Sequence, residues 1–279
     1  MQIKKLPKNK FPKALLEIPQ PPEDLWIIGD LPTNENLIYL CVVGSRKFTS
    51  YGREICEKII AGLKGYPIVI VSGFAMGIDT IAHKAAMRAG LTTIVFPGSG
   101  LSNEAIYPKT NVRLMDEIVA NGGCLISEFE PDFKATYWSF PMRNRLMAGI
   151  SKAVLIIEAE ERSGTLITAR LTTEYNRDLL VVPGSVFSSN SRGTNKLLRQ
   201  GATPVTCADD VLEALGFEKP KNEERQQKLF TDLSPEEKKV VDLLREPMVR
   251  DDLMRAMKMS IPVANALLSI MEIKELIKE

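Results

Sequence analysis

The chain has 279 residues, enough for one large domain and a small one, and its 44% hydrophobic and 25% charged residues are ordinary for a soluble globular protein. Its formal net charge is +1, so nucleic-acid binding would need a local basic patch. No apolar run reaches the length of a membrane span, and no apolar signal-peptide core follows the lysine-rich start. We therefore expect a cytoplasmic protein without a membrane anchor.

The cysteines and the single histidine argue against metal sites and histidine-dependent catalysis. Cys41, Cys56, Cys124 and Cys207 are scattered without a C-x-x-C pair, which suits reduced thiols better than disulfides or metal ligands. His83 falls on a predicted helix, where a packing or capping role is favoured over a general base. We predict no metal site, no cofactor and no catalytic residue.

The first 36 residues contain many prolines and little periodicity, so we expect a lead-in that packs on the main domain. Residues 25–28 are a candidate for extended structure. The lysines at positions 4, 5, 8, 10 and 13 could reach a polyanion, but a solvated segment is the favoured interpretation.

Strand and helix patterns alternate from residue 37 to residue 215, the predicted core domain. Apolar strands are predicted at 37–43, 68–71, 92–96, 123–126, 153–157 and 179–182. Helices are predicted at 51–63, 78–89, 103–120, 143–149, 165–176 and 195–200. Such repeated units predict an α/β fold with a mainly parallel sheet, helices on both faces and ligands at the carboxyl ends of the strands.

Two loops at those carboxyl ends suit an anion. Gly44, Ser45 and Arg46 follow the first strand, and residues 72–77 follow the second strand and lead into a helix. Glycines allow close backbone approach to a phosphate, and free N–H groups at a helix start attract it. Neither loop is a dinucleotide or NTPase motif, and each alone could be a plain turn. For Arg46, pairing with a carboxylate is the alternative to phosphate binding.

Three further segments belong to the same rim. Lys109 lies in a turn ahead of a helix, where a phosphate contact and an unpartnered lysine are equally favoured. Arg143 and Arg145 follow a loop with aromatic residues, which suits a single strand because bases stack on rings. As these arginines are two apart on a helix, we expect one at the rim and one in a structural ion pair. Residues 161–165 form another anion-friendly helix start.

The sequence predicts a linker and then a small helical module in the C-terminal part. Residues 216–232 are polar and aperiodic, and residues 233–279 begin with a helix start, with Ser234 as N-cap, Pro235 and Glu237. Helices at 251–257 and 261–277 complete a shape that resembles a helix-turn-helix. The last helix is largely apolar and the chain stops before a wing hairpin, so a protein-contact module is favoured over readout of a DNA groove.

A series of motifs resembles the DprA (Smf) family of DNA-processing proteins over about residues 11–215. In chain order these are VVGSR (42–46), SGFAMGID (72–79), YPKTN (107–111), SE (127–128), FPMRNRLMAGIS (140–151), ERSGTLITA (161–169), VPGS (182–185) and RGTNKLLRQGA (192–202). The resemblance implies an extended Rossmann-like, doubly wound core with a small, degenerate winged-helix module. It also implies a protein without enzymatic activity that binds single-stranded DNA.

Partners and site residues follow from the same resemblance. The family dimerises and loads RecA onto strands that single-strand-binding protein would otherwise cover, in natural transformation and recombination. We expect the dimer contact after residue 163. The implied DNA-binding residues are Gly44, Ser45, Arg46 and Lys109 on the backbone, Ser72, Gly73 and Gly77 shaping the pocket, and Phe140, Arg143, Asn144 and Arg145 lining it. The chain departs from the family pattern at residues 130–139, which lack a Gly/Pro-rich run, in the missing wing, and in having no helical domain ahead of the core.

The alternative function is a nucleotide-binding or nucleotide-hydrolysing enzyme of the lysine-decarboxylase-like (LOG) superfamily. Its P-G-G-x-G-T-x-x-E motif would end near Gly164 and Thr165 in this chain. Thr168 then stands where the motif has glutamate, so the carboxylate that hydrolysis needs is missing. A transcription factor acting through the C-terminal module is a third alternative, disfavoured by the apolar last helix.

Overall fold

The computed structural model describes residues 2–32, 34, 36–217, 234–244, 248–273 and 277. The chain divides into two compact units, residues 1–218 and 219–279. Apart from Gly216 and Phe217, the predicted linker lies outside the described residues.

The large unit is an alternation of strands and helices. Its strands are β1 (Lys4–Lys5), β2 (Trp26–Gly29), β3 (Ile38–Val43), β4 (Ile68–Ser72), β5 (Thr93–Val95), β6 (Cys124–Ser127), β7 (Ala153–Ile156), β8 (Asp178–Val181) and β9 (Thr203–Pro204). Its α-helices are α1 (Lys13–Leu16), α2 (Ser50–Gly62), α3 (Ile78–Ala89), α4 (Val112–Ala120), α5 (Ser139–Ile150), α6 (Thr165–Glu174), α7 (Arg192–Arg199) and α8 (Ala208–Ala214). In the described ranges, no helix is long and apolar enough to cross a membrane.

The described strands form one mostly parallel sheet in the order β1-β2-β6-β5-β4-β3-β7-β8-β9. From β3 the chain builds outward through β4, β5 and β6 on one side, then crosses to β7, β8 and β9 on the other, with all of these strands parallel. The doubly wound fold predicted from the sequence is confirmed. The order reverses between β3 and β7, and open α/β sheets bind ligands at the carboxyl end of such a reversal.

The central strands are apolar along their whole length because helices cover both faces of the sheet. In β4, Ile68 and Ile70 join the core formed with α2, α3 and α8. The alternate residues Val69 and Val71 join the core formed with α1, α5 and α6. Successive side chains of a strand point to opposite faces, so this run of four fills both cores.

The lead-in is an integral part of the large unit. Its strand β2 pairs antiparallel with β6, and β1 pairs antiparallel with β2. Leu15, Ile18 and Leu25 are buried in the core that includes α5. The expected extended segment at 25–28 corresponds to β2, whereas β1 and α1 were not predicted.

Three predicted helices begin three or more residues away from their predicted start. Helix α4 begins at Val112 instead of residue 103, since Pro108 lies within the predicted span and proline is excluded from a helix interior. Helix α5 begins at Ser139, four residues early, and α7 begins at Arg192, three residues early. Each extension contains a residue that is unfavourable in a helix interior, Pro141 in α5 and Gly193 in α7. Helix α8 was missed.

The small unit contains α9 (Pro235–Leu243), α10 (Arg250–Met257) and α11 (Ile261–Ile273) in its described part. Its first helix starts as predicted: the Glu237 N–H donates to Ser234 Oγ at 3.2 Å, and the Ser234 N–H donates to Glu237 Oε2 at 2.8 Å. This reciprocal capping box satisfies two backbone donors at the helix start. A separate apolar core, with Val240, Leu253 and Leu268 among its members, holds the three helices together.

Candidate nucleic-acid interface

A cleft of about 470 Å³ opens where the strand order reverses, at the carboxyl ends of β3 and β7. Its walls are the loops that follow these two strands, the first turns of α5 and the start of α6. Three exposed cationic residues, Arg46, Lys47 and Arg162, line it. The exposed Glu160 also lines it, so three exposed cations face one exposed carboxylate, and the cleft is positive in a protein whose net charge is close to zero.

The two predicted glycine loops meet at this cleft and are joined by a hydrogen bond. The Ile78 N–H at the start of α3 donates to the Ser45 carbonyl at 3.2 Å. Gly77 has φ +89°, and a Cβ at this position would lie 2.4 Å from the Ser45 carbonyl oxygen. On the other side, Thr165 Oγ1 at the start of α6 donates to the Gly44 carbonyl at 3.2 Å. Position 77 requires glycine for two reasons: its φ is positive, and any Cβ there would clash with the Ser45 carbonyl oxygen.

The turn after β3 projects its cations out of the protein. Ser45 is buried, and its Oγ accepts the Lys47 N–H at 3.0 Å, which tightens the turn. The Arg46 guanidinium lies over the ring of Phe140, 5.5 Å from its centroid. The ring of Tyr107 lies 6.0 Å from that of Phe140. A cation thus lies over an aromatic face at the cleft, and a second ring packs against Phe140.

Ser72 and Gly73 lie beneath the cleft rather than on its walls. Both are buried, and Ser72 Oγ donates to the Val42 carbonyl at 2.6 Å. A Cβ at Gly73 would lie 2.5 Å from Arg143 Nη1. These two predicted site residues hold β3, β4 and α5 together under the cleft. The Ser72 hydroxyl donates a hydrogen bond to a backbone carbonyl and so does not face the cleft.

Arg143 borders the cleft but offers it no exposed guanidinium. Its Nη1 donates to the carbonyls of Gly73 and Phe96, and its Nε donates to Asn144 Oδ1 at 3.2 Å. Burial lowers the pKa of Arg143 to about 10, opposed mainly by the charge of Asp79. The side chain is a structural brace between β4, β5 and α5.

Arg145 points away from the cleft into a buried ion pair with Glu128, and it also donates to the Gln20 carbonyl at 2.5 Å. Burial raises the pKa of Glu128, while the Arg145 charge opposes this rise. The expectation of one structural ion pair is therefore confirmed for Arg145. The other arginine, Arg143, lies at the cleft, but its guanidinium donates to backbone carbonyls beneath it, so a DNA contact by Arg143 stays a prediction.

Lys109 does not line the cleft. Its Nζ donates to the carbonyl of Asn103 and, at 3.1 Å, to that of Glu104. The exposed ammonium therefore bonds the backbone of the loop that carries it. It follows Tyr107, whose ring contacts Phe140, and so lies on a loop beside the cleft. A phosphate contact by Lys109 stays a prediction.

Two ionisable side chains near the cleft floor, Asp79 and His83, are buried and bonded inside the protein. The Asp79 carboxylate accepts the Ala75 N–H at 3.3 Å, and burial raises its pKa against the opposing charge of Arg143. His83 is buried, with Nδ1 2.7 Å from Thr93 Oγ1, and burial lowers its pKa to about 3. The packing interpretation of His83 is confirmed.

Several cleft residues were not among those predicted. Lys47 directly follows Arg46, and Arg162 lies in the segment 161–165, which the sequence places on the rim without singling out this arginine. Tyr137 also lines the cleft. By contrast, Glu158 at the end of β7 is structural: its carboxylate accepts the Thr49 N–H at 3.0 Å and the Thr49 hydroxyl at 2.6 Å, at the start of α2.

Comparisons with known proteins identify the family of the chain. Residues 3–216 match the family described as DNA recombination-mediator protein A. The chain is 38% identical to Protein Smf of Escherichia coli over 207 residues, which are 74% of this chain and 54% of that protein. It is 41% identical to the DNA processing protein DprA of Streptococcus pneumoniae, over 74% of this chain and 72% of that protein. The chain therefore spans only about half the length of the E. coli relative.

Solved structures extend the similarity to three dimensions. The S. pneumoniae DprA structure superposes with a TM-score of 0.69 at 37% identity, covering 78% of this chain and 75% of that one. DNA processing protein A of Helicobacter pylori, which binds single-stranded DNA, superposes with a TM-score of 0.69 at 32% identity, covering 77% and 95%. By its sequence and by its fold, the chain belongs to the DNA recombination-mediator protein A (DprA/Smf) family.

Proposed function

We propose that the protein is a recombination mediator that binds single-stranded DNA in the cleft between β3 and β7. The observation that carries this proposal is the convergence of Arg46, Lys47 and Arg162 on one cleft beside the ring of Phe140. Guanidinium groups match phosphate oxygens in shape and charge, and an aromatic ring offers a stacking surface to a base. Together these groups suit a flexible polyanion with accessible bases.

A single strand fits the site better than a duplex. Stacking on Phe140 needs an unpaired base, since the base faces in a duplex are covered by their neighbours. Duplex readout instead uses a polar or charged helix in the major groove. Helix α11 exposes Ile261, Val263 and Ile270, which suits contact with another protein better than contact with base edges.

The predicted site residues divide into two proposed roles. Arg46 would hold phosphates on the turn made by Gly44, Ser45 and Gly77, with Phe140 and Asn144 on the opposite wall and Lys109 on a neighbouring loop. Ser72, Gly73, Arg143 and Arg145 would act indirectly, by bracing the floor and α5. Arg46, Lys47 and Arg162 are thus the residues whose charge should set affinity.

Family membership and the cleft favour a mediator without chemistry of its own. Thr168, which replaces the glutamate of the hydrolase motif, lines the cleft and is buried. We therefore propose a non-enzymatic, cytoplasmic protein that works as a homodimer through the region after residue 163. In natural transformation and recombination it would deliver strands to RecA in competition with single-strand-binding protein.

Fluorescence anisotropy with labelled oligo-dT and a duplex of equal length, over a salt series, tests this function. We expect tighter binding of the single strand, and an affinity that falls steeply with salt because bound cations displace counterions from the DNA. Equal affinity for the duplex, or no binding at low salt, would contradict the proposal. In the latter case, mononucleotides titrated into the same cleft test the enzymatic alternative.

A further inference from the structure

A cluster of aromatic rings lies next to the cleft, in the loop between β6 and α5. Phe129 and Phe133 stack with centroids 4.5 Å apart and planes inclined by 18°. The Trp138 ring packs against both, at 5.8 Å from Phe129 and 5.5 Å from Phe133. We call these three rings, together with Tyr137, the aromatic shelf.

The loop that carries the shelf is anchored along its length. At its start, Ser127 Oγ donates to the Ser99 carbonyl at 2.8 Å, and in its middle the Gly100 N–H donates to the Phe133 carbonyl at 2.8 Å. At its end, Ser139 Oγ donates to the Gly98 carbonyl at 2.5 Å. A Cβ at Gly100 would lie 2.2 Å from backbone carbonyl oxygens of this loop, so the two segments pack closely. The loop backbone and the three packed rings are therefore held in place before any ligand arrives.

Despite this anchoring, the outer rings face solvent. The side chain of Tyr137 is 93% exposed and that of Trp138 is 54% exposed. Exposed aromatic rings on an ordered loop contribute little to folding, because folding gains from apolar surface that leaves water. A rigid, exposed ring does favour binding, since little side-chain entropy remains to be lost.

We propose that Tyr137 and Trp138 form a base-stacking site for nucleobases of the strand that lies in the cleft. This inference rests on the proposed function. Tyr137 lines the cleft, so the shelf is continuous with the site that holds Arg46 and Phe140. A strand whose phosphates contact the cations can place its neighbouring bases on these rings. The shelf thus contributes affinity through the bases and the cleft contributes affinity through the phosphates.

Tryptophan fluorescence reports on the shelf directly. The chain has two tryptophans, Trp26 and Trp138, so the variant Trp26→Phe leaves Trp138 as the sole emitter. We expect oligo-dT to quench this emission and to shift it, because a stacked base replaces water at the indole. An abasic oligonucleotide of the same length keeps the phosphates but should leave the emission unchanged at saturating concentration.

Affinity measurements separate the shelf from the cleft. We expect Tyr137→Ala and Trp138→Ala each to weaken oligo-dT binding by about 5- to 100-fold, the usual range for one stacked base, with no change in salt slope. Phe187→Ala is the matched control, since this ring is 94% exposed but lies in the loop after β8, outside the cleft lining. Tyr137→Ala removes an almost wholly exposed ring, so its effect is independent of folding.

The outcomes distinguish the two proposals. Failure of the unmodified protein to bind oligo-dT would refute the proposed function itself. Normal, salt-dependent binding that Tyr137→Ala and Trp138→Ala do not weaken, or equal quenching by the abasic strand, would overturn the shelf while leaving the cleft intact.

Discussion

The guanidinium of Arg46 lies over the ring of Phe140, with 5.5 Å between its central carbon and the ring centroid. Phe140 is itself fixed, since a Cβ at Gly98 would lie 2.5 Å from its Cδ1. A cation over an aromatic face at a partly exposed site gains roughly 0.5–1 kcal/mol, enough to bias the side chain without locking it. This contact joins the turn after β3 to α5 and keeps the arginine at the cleft.

Replacing Arg46 with alanine should weaken oligo-dT binding about 10- to 100-fold, as expected for a lost charge-assisted phosphate contact. The slope of log affinity against log salt should become shallower by about 0.7, because one fewer phosphate is neutralised. Arg53→Ala is a matched control: Arg53 also stacks on a phenylalanine, at 5.0 Å from the Phe48 ring, but lies outside the cleft lining. Equal binding by the two variants would remove Arg46 from the site.

Gly77→Ala should damage both stability and binding. The new Cβ would meet the Ser45 carbonyl oxygen, and the backbone has φ +89° and ψ −133°, so we expect a loss of roughly 3 kcal/mol in the free energy of unfolding. The Arg46 turn should shift and weaken DNA binding. Gly90→Ala is the control, as Gly90 has φ +72° but no atom within 4 Å of the added Cβ. We expect a cost of about 1 kcal/mol there and unchanged binding.

Arg143→Lys tests whether this arginine is a brace. A lysine keeps the charge but cannot bond the Gly73 and Phe96 carbonyls in the same geometry, so urea unfolding should show a loss of about 2–4 kcal/mol. The salt slope of DNA binding should remain that of the unmodified protein. Arg113→Lys, at an exposed position in α4, should leave both properties unchanged. Full stability with a weakened affinity for oligo-dT would instead make Arg143 a phosphate ligand, because lysine keeps the charge but not the two-pronged guanidinium contact.

His83 should remain neutral over the physiological pH range. Its pKa in the folded protein is about 3, below the ordinary value of 6.5. The unfolded chain therefore takes up the proton first, and this contribution to stability is complete above pH 6.5 and falls as the pH drops toward 3. By pH 5 the loss is about 2 kcal/mol, absent in His83→Gln. Since His83 is the only histidine, its ring signals in NMR should show no titration between pH 8 and 5; a midpoint near 6.5 would contradict its burial.

The sequence predicted the fold best where an element consists of one continuous run of apolar residues. All six predicted strands are present. Strands that helices cover on both faces are continuous apolar runs, which are easily seen in a sequence. The edge strands β1 and β9 have two residues each and lack such a run. Helix α5 was predicted too short because its first turn contains Pro141, a residue that usually marks a position outside a helix but is tolerated in the first turn.

The cleft was predicted less completely than the fold. Loop chemistry and the predicted parallel strands indicated that Gly44, Ser45, Arg46 and Gly77 come together, and the structure places them so. Side-chain direction could not be predicted in the same way. The partners of the Arg143 guanidinium, carbonyls of Gly73 and Phe96, are 70 and 47 residues away in the chain.

The most direct test of the account is to locate the DNA on the protein. Ultraviolet crosslinking of the unmodified protein to oligo-dT, followed by mass spectrometry of the crosslinked peptides, reads this location without a variant. We expect crosslinks within residues 44–47, 137–147 and 160–168, which line the cleft. Crosslinks confined to residues 234–273, or to the lead-in lysines before residue 14, would contradict the cleft as the DNA-binding site.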